Sequence, residues 1–421
     1  MKRAAVLVLV NVLVFALFAE LLGLVAYYYD TGTLFYVDRE PSREPPALPP
    51  GVLTADALHP YFGPTHRPGV RPETNNFGFG SPHDYPFERT STDQFIIGIF
   101  GGSVGRWFCD LGAPRLVERL KASTFLASKQ IVPLCFSHEG YKQPQQLILT
   151  AYFLSIGQPF DLVINIDGFN EVALGSLNPP RGLDISMPSP LHLEPIVNLI
   201  DRSTLTPERL RSLWAIESRR ERLRALASWM RANRLASVNF VLQRLYDYTE
   251  RQYRFELGRF ASLPGTSLDR SLVQITAAVK PREGETIYRD IASQWAQASL
   301  LMHDLLQARS ITYVHVLQPN QYFTTRPFSE AEARVARSAA SPFRAAVEQG
   351  YPALVAAAER LKGRVSFFSA VELFDREPGQ VYQDDCCHYT QRGNHLLADF
   401  IADRIMELLA KRRSGVVFGG H

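Results

Sequence analysis

The chain has 421 residues but only four cysteines, Cys109, Cys135, Cys386 and Cys387, and two of these are adjacent. Adjacent cysteines suit a tetrahedral zinc site less well than C-x₂₋₄-C spacing, which argues against structural zinc. No block of like charge stands out: 45 Lys and Arg face 42 Asp and Glu, leaving a net charge of +3. No basic stripe is interleaved with aromatics, so nucleic acid is a poor candidate partner. There is no internal repeat, and hence no solenoid. The one glycine-rich turn after an apolar run, Gly101-Gly102-Ser103-Val104-Gly105, lacks the lysine of a phosphate-binding loop. Lysine is scarce beside arginine, which reflects genome composition rather than function. Apolar residues make up 46% of the chain, enough for one large domain or two smaller ones.

An A-x-A-like cleavage site is missing from the N-terminal apolar run, which points to an uncleaved anchor rather than a signal peptide. Met1-Lys2-Arg3 precedes an apolar stretch from Ala4 to Tyr29. As a helix at ~1.5 Å per residue it reaches roughly 39 Å, more than a ~30 Å bilayer core. Lys2 and Arg3 are expected on the cytoplasmic side of a bacterial inner membrane and everything after Tyr29 on the other. Tyr27-Tyr28-Tyr29 fits an aromatic belt. Glu20 lies inside the apolar run. It reads either as a carboxyl snorkelling toward the interface or as a contact with a partner helix.

Residues 30–90 carry the proline-rich stretches REPSREPPALPPG and HPYFGPTHRPGVRP, and read as an extended strap or linker. Residues 91–412 then alternate apolar strand-like runs with helical ones. The strands expected are 95–100 (FIIGIF), 130–136, 160–166, 311–317 and 364–368. Helices are expected over 143–156 and 393–411. Near-continuous apolar strands alternating with helices predict an α/β fold with a parallel sheet covered on both faces. A helical insertion interrupts the pattern at about 200–300. It opens on Thr206-Pro207-Glu208, with an N-cap, proline at N1 and an acid in the first turn. Core packing is the expected use of its aromatics. Residues 413–421 form a tail.

Gly101–Gly105 fits G-x-S-x-G, a turn that exposes a serine at the C-terminal edge of a sheet. A serine needs a base, and the base needs a third group to fix its tautomer. Asp385-x-x-His388 offers both from one loop, with Asp384 as a rival acid. The α/β-hydrolase fold fits poorly. There the serine follows several strands and the acid and histidine sit on separate loops, whereas here Ser103 follows the first convincing strand.

Four blocks in order resemble the SGNH/GDSL hydrolase superfamily, in its membrane-anchored bacterial branch: IFGGSVG, SHEGYKQPQQ, IDGFNE and DDCCH. HPYFG and NNFGF upstream resemble segments of that branch. The resemblance implies a three-layer, flavodoxin-like parallel sheet. It implies a Ser103 nucleophile, a His388 base and an Asp385 acid. It also implies an oxyanion hole built from the Ser103 N–H, the Gly140 N–H and the Asn170 amide. The serine block reads GGS where GDS names the family, and the third block reads GFNE where GxND is commoner. The reaction implied is hydrolysis or transfer of an acyl ester through an acyl-serine, on an O-acetyl group of an envelope or exported glycan, with no metal or cofactor. The alternative is a hydrolase-like accessory subunit that docks through its anchor and Glu20. His138 reads as structural or cleft-lining, and His395 should fall on the closing helix.

Loops after parallel strands gather at one sheet edge, so all four cysteines are expected near the site. Neighbouring cysteines bond each other only with strain. At least one bridge is therefore expected from Cys386 or Cys387 to Cys109 or Cys135.

Overall fold

The computed structural model describes residues 2–37, 56–68, 73–200, 206–263, 282–338 and 341–413. Most of the first proline-rich stretch, the second end of the insertion and the tail beyond 413 lie outside the described residues. In chain order the elements are α1 (Lys2–Thr31), β1 (Asp56–His59), β2 (Gly63–His66), β3 (Gln94–Gly101), α2 (Ser103–Leu111), α3 (Ala113–Lys121), β4 (Gln130–Ser137), α4 (Gln145–Ser155) and β5 (Leu162–Asp167). There follow α5 (Phe169–Gly175), α6 (Pro190–Ile200), α7 (Pro207–Ala232), α8 (Ala236–Ser262), α9 (Glu285–Gln307), β6 (Thr312–Leu317), α10 (Glu330–Ala336), α11 (Arg344–Ala358), β7 (Ser366–Ser369) and α12 (Gln391–Arg413). Two compact units result: Met1–Val52 with Asn198–Val273, and Leu53–Val197 with Gln274–His421.

The larger unit is built on a five-stranded sheet in the order β4-β3-β5-β6-β7, every pair parallel. This is the doubly wound order, in which the chain reverses direction across the sheet between β3 and β5. The central strands are apolar without alternation because both faces are covered. Ile96, Ile97, Ile99 and Phe100 of β3 are fully buried, as are Leu162, Val163, Ile164 and Ile166 of β5. The helices pack in two groups, α2 with α3 and α12, and α4 and α5 with α9 and α11. Arg115–Asp399 (2.8 Å) and Arg119–Asp403 (2.7 Å) tie α3 to α12.

The expected linker is, where described, part of the folded unit. Phe62, Phe79 and Tyr85 belong to the main core. The NNFGF turn explains how. The Asn75 Oδ1 accepts the N–H groups of Phe77 and Phe79, both at 3.0 Å. Gly78 takes φ +81°, and a Cβ there would lie 1.8 Å from the His66 carbonyl oxygen. Only glycine closes this turn, and closing it drives Phe79 inward. Prolines had suggested a spacer; the aromatics between them carry the packing.

The smaller unit is helical. Thr206 caps α7 by accepting the Arg209 N–H at 3.3 Å, and Pro207 stands at N1 as expected. Ile216, Leu223, Leu226 and Met230 of α7 meet Leu242, Tyr246, Tyr253 and Phe260 of α8. Trp214, expected in the core, lies off this seam and is 75% exposed. The insertion proper ends before α9, which belongs to the sheet-bearing unit. α1 is long and apolar enough over Val6–Thr31 to cross a membrane.

Candidate active site

Ser103 is the first residue of α2, directly after the switch-point strand β3. Gly101 and Gly102 make the turn. A Cβ on Gly102 would lie 2.0 Å from the Asn170 Nδ2, so glycine is what lets the amide stand beside the serine. Asn170 is the second residue of α5, after β5 across the switch, and its Nδ2 donates to the Tyr141 carbonyl at 2.8 Å. Gly140, with φ +78°, lies in the loop after β4, and His192 of α6 packs against it so closely that a Cβ would collide. The three proposed oxyanion donors thus belong to the loops after β3, β4 and β5, at one edge of the sheet.

Glu171, next to Asn170, joins two of these loops. One carboxylate oxygen accepts the Gln143 N–H at 2.9 Å and the other the Gly168 N–H at 2.8 Å. Burial, reinforced by the charge of Asp167, pushes its carboxyl well above the ordinary range. Nearby Lys142 is fully buried, and burial pushes it down to about 8. Its Nζ donates to the Ile185 carbonyl.

His388 reaches Ser103 with Nε2 at 2.8 Å from Oγ. The acid on its Nδ1 is Asp384, not the expected Asp385. The turn is folded around Asp384. Its Oδ1 accepts the N–H groups of Cys386 (3.0 Å), Cys387 (3.0 Å) and His388 (3.2 Å), while Oδ2 bonds the imidazole. A carboxylate that caps its own turn meets the side chain four residues on, so the spacing is D-x-x-x-H. Asp385 is instead held through its carbonyl, which accepts from Tyr322 Oη (2.9 Å) and Ser341 Oγ (3.1 Å). Burial would raise the Asp384 carboxyl, but the hydrogen bond and charge of His388 with the turn's N–H groups hold it below the ordinary range.

Sequence reasoning missed Trp107. Four residues after Ser103 it lies on the same face of α2, and its ring stacks on His388 with centroids 4.9 Å apart and planes at 19°. The available signal was the Ser-x-x-x-Trp spacing, which no expected helix covered.

The cysteine expectation is corrected. The bridge is Cys109–Cys135, and Cys386 and Cys387 are free. Six residues at 100° each turn Cys109 about 120° away from Ser103, onto the side of α2 that packs against β4. Cys387 is buried in the turn that carries His388, and burial with the neighbouring Cys386 pushes its thiol far up. The two free Sγ atoms are 3.0 Å apart.

Among the described residues, two clusters bring metal-ligating atoms within 4.8 Å of one another: Cys386, Cys387 and His388, and His66, His138 and Glu139. His388 is engaged by Asp384 and Ser103. In the second cluster burial would raise the Glu139 carboxyl, but the His66 hydrogen bond and His138 hold it below the usual range. It braces the loop that carries Gly140. His395 falls on α12, as expected.

No protein-family model matches the chain, and no curated protein matches it.

Proposed function

We propose that the chain is an SGNH-type serine ester hydrolase or acyltransferase, tethered to the membrane by α1 with its larger unit on the extracytoplasmic side. The observation that carries this reading is the unbroken hydrogen-bonded series Asp384–His388–Ser103, which ends on a partly exposed serine at a helix N-terminus. In the proposed reaction Ser103 Oγ attacks an ester carbonyl while His388 Nε2 takes its proton. Asp384 steadies the imidazolium through Nδ1. The carbonyl electrons move onto oxygen, which accepts from the Ser103 N–H, the Gly140 N–H and the Asn170 amide. Collapse expels the alcohol, protonated by His388, and leaves acyl-Ser103. Water or a sugar hydroxyl, deprotonated by His388, then releases the acyl group. A small acyl ester, such as an O-acetyl group on an exported glycan, suits a site facing away from the cytoplasm.

The test is a fluorophosphonate probe on the full chain in its membrane. Wild type should label and Ser103→Ala should not. Labelling that survives in Ser103→Ala, or no labelling of wild type, would sink the reading and favour an accessory subunit.

A further inference from the structure

The carboxylate of Glu20 meets a helix of its own chain. Its Oε1 accepts the Ala236 N–H at 2.5 Å, and its Oε2 accepts the Ser237 N–H (3.1 Å) and hydroxyl (2.6 Å). These are the first residues of α8, so Glu20 supplies the cap that Leu235, at the N-cap position, cannot. Gly23, one turn on, touches the same place. A Cβ there would lie 2.4 Å from the Ser237 nitrogen. Farther along, Arg244 reaches Asp30 at 3.4 Å. From Glu20 to Asp30 and from Ala236 to Arg244 the two helices therefore run side by side in the same direction.

This fixes the depth of the turn between α7 and α8. From Val6 to Phe18 the side chains of α1 are exposed all round; from Ala19 onward one face is covered. The turn reaches the level of Glu20, roughly 16 Å below Thr31 at ~1.5 Å per residue. A ~30 Å bilayer core takes about 20 residues, which from Ala4 ends near Gly23. The turn thus lies about 5 Å inside the far boundary of the hydrocarbon. Its surface has the composition of that zone: Trp229, Leu235 and Val238 are exposed, and Arg231 and Arg234 are exposed beside them.

We propose that the α7–α8 turn is a second membrane contact, a wedge in the outer leaflet beside α1. Its apolar side chains enter the acyl boundary and Arg231 and Arg234 meet lipid phosphates. The occupant is the leaflet that α1 crosses, because the surface is continuous with the lipid-facing side of α1. The proposal rests on α1 spanning the membrane.

The experiment uses the full chain in phosphatidylethanolamine–phosphatidylglycerol nanodiscs, with acyl chains brominated near the headgroup or left plain. Bromine quenches tryptophan by contact. Trp229 is 61% exposed, so Trp229→Phe should fold. That change should remove most of the quenchable emission. Trp214→Phe, about 22 Å away along α7, should leave it in place. Quenching that Trp229→Phe does not alter, in protein that stays with the discs, overturns the wedge alone. Protein that does not enter the discs overturns the anchor and the wedge together.

Discussion

Among the described residues, the sheet-bearing unit contains two Ser–His–Asp constellations. In the first, Ser103 Oγ is 2.8 Å from His388 Nε2, and Asp384 sits on Nδ1. In the second, Ser299 Oγ is 2.7 Å from His315 Nδ1, and His315 Nε2 is 2.8 Å from Asp167. By distance alone both are triads. They differ in access and in what surrounds the serine. The His388 and Asp384 side chains are 17% and 34% exposed, whereas Ser299 and His315 are 0% exposed and Asp167 is 2%. Ser103 begins a helix, with N–H groups free of intrahelical partners; Ser299 lies inside α9, where they are used. Asp167 also accepts the Trp295 indole N–H at 2.8 Å and the Asn165 amide at 2.6 Å. The second set is a buried polar network under β5 and β6 that joins the sheet to α9. A triad is a site only when substrate and oxyanion donors can meet at its serine.

The largest effect separates the two serines. Ser103→Ala should lower esterase kcat/KM by about 10⁵-fold or more, and adding His388→Ala should cost little further, since the two act as a unit. Ser299→Ala should leave turnover near wild type and instead lower stability by about 1–3 kcal/mol, because His315 loses a buried partner. Equal loss of activity in both would break the distinction.

Next in size is the acid. Asp384→Asn should reduce kcat by about 10⁴-fold by favouring the wrong imidazole tautomer, while Asp385→Asn should change it little. A larger loss from Asp385→Asn would restore the D-x-x-H spacing and overturn D-x-x-x-H.

The bridge tests architecture rather than chemistry. Cys109 and Cys135 are 26 residues apart, for which the chain-entropy model gives about 3.5 kcal/mol. Cys109→Ser with Cys135→Ser should lower the denaturation midpoint accordingly and spare fluorophosphonate labelling. Lost labelling in protein that still unfolds cooperatively would mean that the bridge shapes the site.

Glu171 comes next. Glu171→Gln puts an amide where one of two acceptors stood, loosening the Gly140 loop or the start of α5. About a 10- to 100-fold drop in kcat is expected, less than the loss of a whole oxyanion donor. The sign of its pH effect also follows. Burial raises this carboxyl, so the folded protein holds a proton that the unfolded chain releases near 4.5. Its favourable contribution is complete in acid and shrinks as pH climbs through and above the ordinary carboxylate range. Urea midpoints at acid and mildly alkaline pH should differ less in Glu171→Gln than in wild type. An unchanged difference would place the titration elsewhere.

Much of this molecule was legible in the sequence because burial on both faces writes itself as unbroken apolar runs. FIIGIF and FDLVINI could be little else than central strands of a parallel sheet, and Ser103 and His388 were named on sight. What was hidden depends on turns and on partners far along the chain. Asp384 and Asp385 are adjacent carboxylates, and only the turn's N–H groups decide which of them faces the imidazole. The cysteine pairing follows from the rotation of α2, which brings Cys109 to β4 rather than to the loop of Cys386. Phe79 and Tyr85 sat among prolines, where composition suggests a spacer, while Asn75 and Gly78 made the turn that buries them. His315 was visible as a strand residue; its bonds to Ser299 and Asp167 were not.

The smallest effect concerns Trp107. Its ring lies nearly parallel to that of His388. A stacked aromatic pair contributes about 0.5–1.5 kcal/mol beyond its burial, so Trp107→Leu should lower kcat by roughly 2- to 12-fold. Trp107→Phe should restore most of it, since a smaller ring can still stack. KM should hold if the ring acts only on His388, because substrate binding then loses nothing. A rise in KM with kcat unchanged would instead make Trp107 a wall of the substrate cleft, and the stack a by-product of packing. The corresponding ring in the buried set, Trp295, stands at 55° to His315 and bonds Asp167 directly. Trp295→Leu should therefore act on folding, and Trp107→Leu on turnover alone.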